Sequence, residues 1–170
     1  MPSAGKTLET ALERLHKVYG SVVWVVKQSP RMRLAGRRMV PTGDGPPDFL
    51  GWAEALGVCF DAKEFSENRW PLEKLKPHQA EDMDRAQVHG AVSFLVIAHV
   101  PVSPIERAWF VPWDSLRPIW RAWKRKKDAG ERARPRMAGL YMGDLERIGI
   151  ELDGVDWLPA LHEFVKGRTI

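Results

Sequence analysis

The chain has 170 residues, 44% of them apolar, with 26 Lys and Arg against 22 Asp and Glu for a formal net charge of +4. That is enough chain to bury one core, and the basic balance leans toward a polyanionic partner. Its single cysteine, Cys59, excludes a disulfide framework and a thiolate metal cluster, and no apolar run reaches membrane-spanning length. No signal-peptide core opens the sequence, so a reducing, cytoplasmic location is expected.

Leu8, Leu12, Leu15 and Tyr19 recur at helical spacing, which predicts an amphipathic helix from Lys6 to Tyr19 ended by Gly20. Glu9, Glu13 and His16 share a neighbouring stripe, and Glu9 reaches a site on the following strands if the helix packs beside them. Ala4-Gly5-Lys6-Thr7 has the tail of a phosphate-binding loop but lacks the earlier glycine and strand that such a loop requires. Ser21 to Lys27 reads as a strand.

Between Gln28 and Pro46, Arg31, Arg33, Arg37 and Arg38 are interleaved with Met32, Leu34, Met39 and Val40. This alternation predicts a protruding basic arm, a small β-ribbon whose arginines meet phosphate.

Pro47 to Lys63 carries the chemistry. Phe49, Leu50 and Trp52 form an apolar strand, a turn region ends at Gly57, and Val58 to Lys63 forms a second strand. Alternate strand residues share a face, so Asp61 and Lys63 point together, and a hairpin partner brings Asp48 beside them. Two carboxylates and an ammonium at the edge of an apolar hairpin are costly to bury without a divalent cation, and hard oxygen ligands suit magnesium. Pro-Asp followed at a distance by Asp-x-Lys resembles the signature of the PD-(D/E)xK nuclease superfamily.

Phe65 to Lys76 reads as polar and irregular. Pro77 opens a helix to His89, carrying His78 and Gln79 in its first turn. The unbroken apolar run Ala91 to Ala98 predicts a strand covered on both faces, and Arg107 to Val111 predicts another. Asp114 is the expected cap of a helix that buries Leu116, Ile119, Trp120 and Trp123. Its far end is basic: Arg121, Lys124, Arg125, Lys126 and Lys127, then Arg132, Arg134 and Arg136. Two short helices, Asp144 to Ile150 and Leu158 to Lys166, close the chain. The expected fold is an α/β, restriction-endonuclease-like core with a mixed sheet flanked by helices. It forms one nuclease domain over 1–170, with the arm at 28–46 and a basic segment at 117–136.

With these elements in place, the chain resembles the RecU-type Holliday junction resolvases over roughly residues 5 to 100. The ordered matches are Gly5 with Leu8-Glu9, Lys27 and Pro30, Asp48-Phe49-Leu50-Gly51, Phe60-Asp61-Ala62-Lys63-Glu64, Pro71-Leu72, His78-Gln79 and Gly90 through Phe94. It departs from the pattern in Asp61, where these enzymes commonly carry Glu, and in a shorter arm. The resemblance implies a homodimer that nicks four-way DNA junctions in pairs, with magnesium, replaceable by manganese, held by Asp48, Asp61, the Ala62 carbonyl and Glu9. It further implies that Lys63 orients the attacking water and that Gln79 supports it; from charge density, Arg31, Arg33, Arg37 and Arg38 of the arm and Lys124, Arg125, Lys126 and Lys127 are expected to contact DNA. Glu64 is expected on the opposite strand face. The competing readings are a restriction or repair nuclease on the same core, and a non-catalytic basic DNA-binding protein.

Overall fold

A computed structural model describes residues 7–29, 32–35, 38–41, 45–131 and 138–168. Its centre is a six-stranded mixed sheet in the order β1 (Val23–Lys27), β4 (Phe49–Ala53), β5 (Leu56–Phe65), β7 (Val92–His99), β8 (Arg107–Pro112), β10 (Ile150–Glu151). Only β5 and β7 run parallel; every other neighbouring pair is antiparallel. All residues of β7 are buried, which is why its apolar run shows no alternation.

β8 is likewise buried from Ala108 to Pro112, and each side of the sheet has its own core. One side packs Cys59, Phe65, Leu95, Ile97, Trp109 and Val111 beneath the helices α2 (Pro77–Val88) and α3 (Trp113–Asp128), with Trp113, Leu116, Trp120 and Trp123 buried. The other packs Val58, Phe60, Phe94, Val96 and Phe110 against α1 (Thr7–Tyr19) and α5 (Leu158–Gly167), through Leu8, Leu12, Ala160, Leu161 and Trp157.

A row of rings sets the register on which the site depends. Phe49, Phe60, Phe94 and Phe110 lie side by side on four successive strands, with centroids 4.9, 4.6 and 4.4 Å apart. A slip of one residue would turn this row to the opposite side of the sheet, so the pairing of Phe49 with Phe60 is strongly held. His16 stands edge-on to Phe49 at 5.3 Å, and Trp157 donates its indole N–H to His16 Nε2 at 3.2 Å. Burial lowers the His16 pKa to about 4, leaving the neutral imidazole that this acceptor role needs.

Several elements differ from the sequence expectation. The turn between β4 and β5 is only Glu54 and Ala55, with Glu54 at φ 53°, and Gly57 lies within β5. Gly51 is where β1 comes closest: a Cβ there would stand 2.0 Å from the Trp24 carbonyl oxygen. The segment read as irregular contains β6 (Arg69–Pro71) and a 3-10 turn, Leu72–Lys74. β6 pairs with β9 (Gly139–Tyr141), with Trp70 fully buried between the layers. The cap expected at Asp114 is instead Pro112, because β8 runs straight into α3 with Trp113 buried. Asp114 accepts from Gln87 Nε2 at 3.0 Å and pairs with Arg168 at 2.8 Å. The fourth helix, α4 (Met142–Ile148), begins two residues before the expected one.

Within the arm, β2 (Met32–Ala35) and β3 (Arg38–Pro41) form a two-stranded antiparallel ribbon. Among the described residues no helix is long and apolar enough to cross a membrane.

Candidate active site

Because Phe49 faces Phe60, the next position toward the strand end sets Asp48 opposite Asp61. The Asp48 N–H points at Asp61 Oδ1 at 3.4 Å, and the Ala62 N–H donates to Asp48 Oδ2 at 3.0 Å. Asp61 is fully buried. Lys63, two residues on and on the same side of the strand, places its Nζ 2.6 Å from Asp61 Oδ2 and 3.3 Å from Gln79 Oε1. Gln79 sits in the first turn of α2, where its Oε1 also accepts the Lys76 N–H at 3.1 Å. This second bond fixes the amide that in turn fixes the lysine.

Burial beside a second carboxylate pushes the Asp48 pKa up to about 8: desolvation comes first, then the hydrogen bond and charge of Asp61, with Lys63 opposing them. One ammonium therefore does not neutralise the pair. Asp61 Oδ2 has no hydrogen bond of acceptable angle and only the short ion pair to Lys63. An under-compensated acid pair with an open oxygen fits a divalent cation. Among the described residues no group of three or more His, Cys, Asp or Glu side chains is set to hold a metal. A cation here would draw on two carboxylates and fill its sphere with backbone oxygen, water and phosphate, which is how magnesium is commonly held.

Glu9 is brought to the same place from α1. It lines, with Asp48, Ala62, Lys63 and Lys74, a cavity of about 320 Å³ at the end of β5. Its carboxylate is engaged by Lys27 at 2.7 Å, a lysine that also meets Glu13 at 2.6 Å. Glu64 faces the opposite side of the strand from Asp61, and its Oε1 accepts the N–H of Leu8. A carboxylate on β5 thus caps α1 and holds Glu9 at the cavity.

The basic residues divide. Arg31 and Arg37 lie outside the described residues; Arg33 stands on β2, and Arg38 is exposed on β3. On α3, Lys124 is held by Asp128 at 2.5 Å, Arg121 by Asp84 at 2.5 Å, and Lys127 lies 5.0 Å over the Trp123 ring. Arg125 and Lys127 are exposed and Lys126 half-buried, while Arg132, Arg134 and Arg136 lie outside the described residues. Lys74 is the site residue that sequence reasoning missed. The signal was Trp70, Leu72 and Leu75, whose spacing marks a segment anchored in the core.

Fold and site together define a nuclease core of restriction-endonuclease type, with its acid pair and lysine at the end of the central hairpin. A family model, RecU: Recombination protein U, matches residues 39–134, more than half of the chain. The chain belongs to that family, that of the RecU-type Holliday junction resolvases. Among solved structures it is similar to Hjc, a Holliday junction resolvase of the archaeal hyperthermophile Archaeoglobus fulgidus. That likeness has 15% identity, covers 86% of this chain and 95% of that one, and has a TM-score of 0.47. No curated protein sequence matches the chain.

Proposed function

We propose that this resolvase is a magnesium-dependent endodeoxyribonuclease that works as a homodimer and cuts four-way junctions by paired nicks. The observation that carries the reading is the cluster of Asp48, Asp61 and Lys63 held by a buried, register-locked hairpin. A divalent cation bound there supplies charge to the phosphate and brings the pKa of water toward neutrality. Asp61, immobile in the core, and Asp48, fixed by the Ala62 N–H, present oxygens to it from two strands. Lys63, anchored by Gln79 Oε1, would direct its ammonium at the attacking water or the phosphorus-bound oxygens. Glu9 forms the far wall and accepts from groups entering the cavity. Incubation in magnesium with a mobile four-way junction, a matched linear duplex and a Y-fork, read on a denaturing gel, tests the substrate. Symmetric nicks confined to the junction are expected; equal cutting of the duplex would favour a restriction or repair nuclease.

The arm is the proposed junction-reading element. Replacing Arg31, Arg33, Arg37 and Arg38 together should weaken junction binding and lower the slope of log affinity against log salt by about 0.9 for each phosphate left unneutralised. An unchanged slope would reduce the arm to a loop.

Paired nicks need two centres, and one face fits a second copy. The helices leave β1 and β4 uncovered on the α2 side, exposing Trp24 by 65% and Trp52 by 54%. They border a cavity of about 630 Å³ whose lining, among the described residues, is largely aliphatic and aromatic and includes no Asp, Glu, Lys or Arg. A tryptophan presents up to about 250 Å², so two copies would hide about 600 Å² from these rings alone, half of a specific interface of roughly 1,200 Å². The two exposed indoles beside aliphatic side chains suit the aromatic core of a protein interface. Sedimentation at micromolar concentration should show a dimer that Trp24→Ser with Trp52→Ser converts to a folded monomer whose nicks are no longer paired. A wild-type monomer, or an unaffected double variant, would refute the assignment.

A further inference from the structure

The cavity that contains Asp48 and Lys63 has a second lysine in its wall, Lys74, and nothing in the proposed cluster uses it. We infer that Lys74 binds a backbone phosphate of the strand being cut, adjacent to the scissile one; this rests on the nuclease reading above.

The backbone that carries Lys74 is firmly held. Leu72 and Leu75 are each 1% exposed. The Leu72 N–H donates to the Ala138 carbonyl at 3.0 Å, and the Trp120 indole N–H donates to the Leu75 carbonyl at 3.3 Å. From this support the Lys74 side chain crosses to the end of β5, where Nζ donates to the Glu64 carbonyl at 2.6 Å. The ammonium is thereby parked one residue beyond Lys63, at the exposed lip of the cavity.

Partners separate this lysine from the others nearby. Lys63 is engaged by the Asp61 carboxylate and Lys27 by both Glu9 and Glu13. Among the described residues no carboxylate pairs with Lys74. A carbonyl takes one of an ammonium's three donors and none of its charge, so two donors and a full charge stay available. A phosphate arriving there displaces no acid, whereas at Lys27 it would have to break two ion pairs.

Two variants of the full chain test this. Lys74→Gln keeps a donor for the Glu64 carbonyl but removes the charge; Lys74→Arg keeps the charge. Junction affinity is measured against salt in calcium, and single-turnover cleavage in magnesium. Lys74→Gln should lower the salt slope by about 0.9, the share of one neutralised phosphate, weaken binding several-fold and slow cleavage, and Lys74→Arg should restore the slope. If the wild type cuts and Lys74→Gln leaves the slope unchanged, or Lys74→Arg fails to restore it, the assignment of Lys74 falls while the nuclease reading stands. A wild type that cuts no junction removes both.

Discussion

Asp61→Ala and Asp61→Asn should each reduce junction cleavage in magnesium at least about a thousandfold, equivalent to roughly 4 kcal/mol of transition-state stabilisation. In calcium both should leave junction affinity nearly unchanged, because the arginines and lysines proposed to meet phosphate lie elsewhere. The two variants separate chemistry from folding. Asp61→Ala removes the carboxylate that Lys63 touches at 2.6 Å and leaves a largely buried ammonium with a single amide anchor, a state that also costs stability. Asp61→Asn also loses the charge but keeps the shape and an oxygen for the Asp48 N–H, so its melting point should fall less than that of Asp61→Ala. Equal loss of cleavage in both, despite unequal stability, would assign the effect to the ligand role. Wild-type cleavage by either variant would remove Asp61 from the site, and with it the reading that the acid pair holds the cation.

The hairpin could be read from the sequence because its information is local. Strand alternation fixes which residues accompany Asp61, and one register, fixed by Phe49 and Phe60, then fixes Asp48. Gln79 was accessible through the resemblance alone, since nothing in helical periodicity says that an amide in the first turn of α2 reaches β5. Lys74 was hidden for a different reason. Its segment lacks the length for a periodic signal, and its strand β6 exists only because β9, some seventy residues later, pairs with it. On α3 the sequence shows the cations but not the acids that meet them. Charge counted along a helix ignores the acids that other elements bring, here Asp84 from α2 against Arg117 and Arg121. Asp114 shows the same limit: capping residues announce a helix start only where a loop precedes it, and here a strand enters the helix without one.

Asp48→Asn should abolish cleavage and yet make the cation-free protein more stable above neutral pH. Burial and Asp61 push the Asp48 pKa up to about 8 in the folded chain, whereas an unfolded aspartate ionises near about 4. Below the lower value both states hold the proton and Asp48 contributes no pH dependence. Between the two the unfolded chain binds fewer protons than the folded one, so wild-type stability falls as pH rises, by at most about 1.4 kcal/mol per unit, and levels off above the upper value. Asparagine cannot ionise, so the gain of the variant should be near zero at pH 4 and grow toward pH 8. Each 1 kcal/mol of that gain would appear as a melting point higher by roughly 2 to 4 °C. Magnesium should reverse the comparison, since a ligand that binds only the folded wild type stabilises it in proportion to the logarithm of its concentration, and the variant has lost a ligand for it. The crossing of these two trends is specific to a carboxylate placed at the expense of stability for a cation. A solvated strand-end aspartate would give a pH-independent difference and no response to magnesium, and that outcome would exclude Asp48 from the site.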